Sequence, residues 1–163
     1  MSKTLRLSLV VAATIGLTAH AANEGLPADQ LPSGAAEKVV SVTRSGAPPA
    51  SLTVITEAIA IRETGPKETV EHFGEIYTFS PPLFVVHRDE ATRITFRNLQ
   101  PDDLHDFMLV DRSRNPLMHI MLPPLRETSY TFSFHKEGLF NFYCTMHQPV
   151  MSGQILVLPP EPN

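Results

Sequence analysis

The sequence predicts an all-β domain, a two-sheet Greek-key β-sandwich with an extra N-terminal strand. Three observations support this. Hydrophobicity alternates with a period of two: Ile94 and Phe96 fall on one face and Arg93, Thr95 and Arg97 on the other, while Tyr130, Phe132 and Phe134 alternate with Thr131, Ser133 and His135. Turn-forming clusters recur at short intervals along the chain. Beyond an apolar run at the N-terminus, no window carries a convincing helical stripe. A chain of 163 residues with 42% hydrophobic content has enough apolar surface for one real core.

The turns divide the chain into its expected strands. Leu52–Ile61 is the extra strand, placed as a cover for a sheet edge and closed by Gly65-Pro66. Thr69–Phe73 follows, and Leu83–His87 lies between Pro81-Pro82 and Asp89-Glu90. The alternating stretch Thr92–Arg97 runs to Pro101-Asp102-Asp103, after which His105–Val110 begins. Leu117–Met121 stops at Pro123-Pro124, and Tyr130–His135 stops at Lys136-Glu137-Gly138. Leu139–Cys144 and Gln154–Leu158 are parted by a loop that ends in Ser152-Gly153. Short strands at this spacing make a sandwich.

Ahead of this domain, Lys3 and Arg6 precede an uncharged apolar run from Leu7 to Ala19, and Ala19-His20-Ala21 supplies the small-x-small pattern of a cleavage site. Residues 1–21 therefore read as a secretory signal peptide, too short in its apolar part to span a bilayer. The expectation is an exported protein, located in the bacterial periplasm, with no transmembrane segment after cleavage. Residues 22–50, punctuated by Pro27, Pro32, Gly34, Gly46, Pro48 and Pro49, read as a flexible tether, with a short helix or strand allowed around Ala35–Val42. The domain is expected to cover residues 51–160.

Composition removes several functions. A net charge of −4 excludes bulk electrostatic binding of nucleic acid. A single cysteine excludes a disulfide framework and any multi-cysteine zinc site. In an exported chain a lone thiol is a liability, so Cys144 calls for an explanation beyond filling space.

That explanation lies in the segment from Gly138 to Val157. A strand brings Cys144 to its end, a tight loop carries His147 and Met151, and the next strand leaves at once. A second imidazole, His105, opens another strand after Asp102-Asp103-Leu104. Two imidazoles, one thiolate and a weak axial thioether form the ligand set of a blue copper centre. Each residue alone has an ordinary reading, as a buried thiol, a surface imidazole or a core methionine. A Cys-His nucleophile pair is a sharper rival, but both groups sit in one tight loop with no evident oxyanion element.

This segment resembles the cupredoxins, the small blue copper proteins related to plastocyanin, pseudoazurin and azurin. The likeness runs from Thr69 to Leu158 and includes the Phe-Ser-Pro-Pro-Leu-Phe-Val-Val and Lys-Glu-Gly-Leu-Phe-Asn-Phe-Tyr-Cys stretches. It implies the cupredoxin fold and one copper ion cycling between Cu(I) and Cu(II) on His105, Cys144, His147 and Met151. It also implies electron transfer with redox partners such as a c-type cytochrome or a terminal oxidase, and no enzymatic activity. His147 would be the electron exit, within a docking patch of Met146, Pro149 and Val150. Where the family often has Asn, this chain has Asp106, whose carboxylate is expected to staple Thr145 and to lower the potential. Two further readings differ in kind. One is a copper carrier or copper-tolerance protein, for which Met118, His119 and Met121 invite a second copper site. The other is an accessory cupredoxin bound to an oxidase through the tether.

Overall fold

A computed structural model describes residues 26–161; the signal peptide expected over 1–21 lies outside the described residues. Ten strands run in chain order: β1 Val40–Thr43, β2 Ala50–Ala60, β3 Ile76–Ser80, β4 Leu83–His87, β5 Thr92–Asn98, β6 His105–Val110, β7 Pro116–Leu122, β8 Glu127–Phe134, β9 Gly138–Tyr143 and β10 Ser152–Leu158. They form two five-stranded sheets, ordered β1-β8-β5-β2-β3 and β4-β10-β9-β6-β7. Each sheet is mixed, with β2 parallel to β5 in one and β4 parallel to β10 in the other.

The inward residues of both sheets meet in one aromatic core. Phe107 of β6 packs against Phe96 of β5 and Phe132 of β8, and Phe142 of β9 packs against Phe79 of β3. The alternation read from the sequence sets this arrangement: Ile94, Phe96, Tyr130, Phe132 and Phe134 are all buried. Burial of such rings supplies roughly 2–3 kcal/mol each before entropy is charged against it.

Four features depart from the expected layout. The segment expected to be a flexible tether folds back onto the sandwich. It carries a 3-10 turn at Ala36–Lys38, in the region where a short element was allowed, and then β1, which pairs along β8 from Val40↔Phe134 to Thr43↔Thr131. The apolar Val39, Val40 and Val42, sparse as they are, pack on the core, and Val40 is fully buried. The extra N-terminal strand, β2, does not cover an edge but lies inside its sheet between β5 and β3. The stretch Thr69–Phe73 belongs to a helix, α1 (Lys67–Phe73), which starts after Pro66 and ends where Gly74, at φ 78°, donates to Val70 O at 2.9 Å. Because α1 buries no residue, it leaves no apolar stripe in the sequence. Lastly, β3 inserts Tyr77 and Phe79 into the core, a strand the turn punctuation did not isolate.

Candidate metal centre

Three strand ends converge at one end of the sandwich. His105 is the first residue of β6, Cys144 directly follows β9, and residues 144–151 form the loop into β10. Main-chain bonds close that loop on itself: Cys144 N–H donates to Met151 O at 2.9 Å, and Met151 N–H donates to His147 O at 3.1 Å. The return strand can approach only because Gly153 has no side chain. A Cβ there would lie 2.3 Å from both the Phe142 ring and Pro82 O. The loop is therefore closed by its own backbone.

The result is a cradle of three lone-pair donors. His105 Nδ1 and His147 Nδ1 are 3.0 Å apart, and Cys144 Sγ lies 3.4 Å from His147 Nδ1 and 4.0 Å from His105 Nδ1. His105 and Cys144 are fully buried, and the Tyr77 ring packs against both imidazoles, with centroids 4.9 Å and 4.6 Å away. Burial, with the second imidazole close by, lowers the pKa of His105 to about 4, and burial lowers that of His147. Burial also pushes the Cys144 thiol up to about 11. Burial thus favours the neutral form of all three groups, whose donor atoms face one another.

That arrangement fits a metal ion and fits copper in particular. Two imidazole nitrogens suit Cu(II), a thiolate suits Cu(I), and three donors within 4.8 Å of one another can share one ion. With both Nδ1 atoms turned inward, His105 Nε2 is buried and has no hydrogen-bond partner among the described residues.

The other expected residues fall into two sets. Met151 is fully buried, and its main chain is bonded to both Cys144 and His147. Asp106 is buried beside His105 and accepts from Thr145 N–H at 2.6 Å and from the Thr145 hydroxyl, which is the expected staple. Met146, Pro149 and Val150 are exposed next to the half-buried His147. Met118 does not join His119: it is buried in the core, while His119 lies on the opposite face of β7 and contacts Asp106.

Sequence reasoning missed Tyr77 and the role of His119. Tyr77 donates from its hydroxyl to Asp103 at 2.6 Å, a link that holds the loop before His105 against β3. The Asp102-Asp103 pair next to the first imidazole was the only available signal.

No protein-family model matches the sequence, and no curated protein matches it. Solved structures do resemble it. Auracyanin B is 16% identical, with 75% of this chain covering 99% of that one at a TM-score of 0.52. The chain has a cupredoxin fold. An auracyanin from the photosynthetic bacterium Roseiflexus castenholzii is likewise 16% identical over 69% of this chain and 100% of that one, with a TM-score of 0.50. A multicopper oxidase matches 69% of this chain at 13% identity and a TM-score of 0.51, but over only 45% of its own length. Within this sandwich the start of β6 and the loop between β9 and β10 deliver the cradle.

Proposed function

We propose that the chain is an exported, periplasmic, mononuclear blue copper protein that shuttles single electrons between redox partners and has no substrate of its own. The convergence of His105 Nδ1, His147 Nδ1 and Cys144 Sγ in a buried pocket carries this reading. Met151, locked by its main chain to Cys144 and His147, is the weak axial ligand. A bound copper ion supplies reversible one-electron chemistry. The protein holds the ligands in one geometry, so exchange between the two oxidation states needs little movement. The backbone-closed loop, Gly153 and the Asp106–Thr145 staple all serve that rigidity.

His147 is the ligand nearest the surface, half-buried among exposed Met146, Pro149 and Val150. Such a small apolar patch suits brief, weak complexes with a c-type cytochrome or a terminal oxidase. Export rests on the Lys3/Arg6, Leu7–Ala19 and Ala19-His20-Ala21 pattern.

The test is an optical and EPR spectrum of the Cu(II)-loaded protein beside its Cys144→Ala variant. The expected result is an intense visible thiolate-to-copper band that vanishes in the variant. Weak bands indifferent to loss of Cys144 would remove the shuttle reading and leave a copper carrier. A chelator that strips the ion within one redox cycle would do the same.

A further inference from the structure

We propose that His119 is a positioning residue for this centre, the third anchor of the clamp that fixes the Cys144–Met151 loop. The proposal rests on the copper reading above. His119 lies on β7, across the β6 ladder from Met108, and its Nε2 donates to Asp106 Oδ2 at 2.8 Å. Asp106 is only 1% exposed, so its carboxylate depends on the donors the protein brings to it. Thr145 supplies two, from its amide and hydroxyl, and both come from the loop being clamped. Among the described residues, His119 is the one side-chain donor to Asp106 that comes from outside the clamped loop, and it therefore sets where the carboxylate sits. Without it, Asp106 and Thr145 can shift together.

The molecule in turn fixes His119. Gln30 bridges it on the main chain in both directions, with Gln30 N–H donating to His119 O at 2.7 Å and His119 N–H to Gln30 O at 2.9 Å. The neighbouring Asp29 accepts from Met121 N–H at 2.9 Å, from Arg44 at 2.8 Å and from the Tyr130 hydroxyl. The N-terminal segment thus straps the main chain of β7 at positions 119 and 121. Hydrogen bonds from Tyr130 and Arg44 to Asp29, and from Met121 N–H to Asp29, thus anchor the strand whose His119 in turn bonds Asp106. Fixing a ligand-bearing loop from behind is how outer groups set a metal's reactivity. With its Nε2 given to Asp106 and Met118 on the other face, His119 is poorly placed to ligate a second copper ion.

The experiment compares His119→Leu, which removes the donor, with His119→Gln, whose side-chain amide can replace it. Amide hydrogen exchange at Thr145 is followed in the metal-free protein, and the reduction potential in the copper-loaded protein. Loss of a bond to a buried carboxylate should accelerate Thr145 exchange about tenfold in His119→Leu, with core amides such as Phe107 and Phe132 unchanged. The same variant should show a lower potential, because a carboxylate deprived of its imidazole donor favours Cu(II). His119→Gln should return exchange to within about threefold of the parent. If His119→Leu does not fold, His119→Asn, polar but too short to reach, should show the same acceleration. Unchanged exchange at Thr145 overturns the proposal, as does accelerated exchange with an unmoved potential. Should no thiolate-to-copper band form in the parent protein, the copper reading fails, while the exchange comparison still decides whether His119 holds the clamp.

Discussion

The molecule has an imidazole-centred cluster at each end of β9, and the two are built on opposite principles. Near Cys144, the buried His105 and half-buried His147 turn their Nδ1 atoms toward one another and toward the buried thiol. Just before β9, His135 stands between Ser41 and Asp89, with Nε2 3.0 Å from the serine hydroxyl and Nδ1 2.8 Å from the carboxylate. The second arrangement has the connectivity of a hydrolytic triad, yet its imidazole and carboxylate are 37% and 58% exposed. Every group in it has a partner and access to water. The first cluster has no such chain of contacts: His105 Nδ1, His147 Nδ1 and Cys144 Sγ converge on a common point from three directions. A functional centre is recognised here by desolvated lone-pair donors that converge on one point, and not by a familiar order of contacts.

The strongest way to break that comparison is to make the cradle apolar. His105→Leu fills nearly the same space and removes a desolvated imidazole, so the metal-free protein should be as stable as the parent or more stable by about 1 kcal/mol. Its unfolding midpoint should no longer respond to copper, whereas the parent's should rise steeply with it. Denaturant unfolding with and without Cu(II) reads both effects. A variant destabilised by more than about 2 kcal/mol would make His105 an ordinary packing residue.

A smaller effect is expected where the buried cluster meets the surface. Met146 is 44% exposed and Val150 53%, beside the one ligand that is not fully buried. Met146→Lys should slow electron exchange with a cytochrome about tenfold by placing a charge in an apolar contact, while leaving the visible spectrum unaltered. Stopped-flow mixing with a reduced c-type cytochrome measures the rate. A changed spectrum would show instead that Met146 shapes the ligand geometry.

Much of the buried cluster is legible in the sequence because its chemistry is local. Cys144, His147 and Met151 lie within one loop, and the alternation of Phe140 and Phe142 announces the strand that delivers them. His105 is legible as the residue opening its own strand. The partners that arrive from other strands are not. Tyr77 reaches the imidazoles from β3, and His119 reaches Asp106 from β7, through registers that no spacing along the chain encodes. The N-terminal segment is hidden for a different reason. Its Pro- and Gly-rich composition reads as flexible, yet main-chain pairing and the Asp29 carboxylate hold it. Such pairing depends on a sheet edge that exists only once the rest has folded. In the same way α1, with nothing buried, offers no periodicity to detect.

The exposed cluster offers the smallest effect and the cleanest control. His135→Ala removes both of its side-chain bonds, one of them to a carboxylate that also faces Arg88 at 3.4 Å. Solvent can replace each of them, so the loss of stability should stay below about 0.5 kcal/mol. Neither the copper spectrum nor the potential should move, because the whole length of β9 separates the two clusters. Hydrolysis of an activated ester, assayed beside the parent, should be equal in the two proteins. A rate that falls with His135 would mean that the exposed relay is a site in its own right, and that partnered groups in water can carry chemistry here after all. Equal rates would leave His135 as the tie that holds β1 and the turn after β4 against the end of β8, a mechanical role met by three ordinary surface hydrogen-bonding groups.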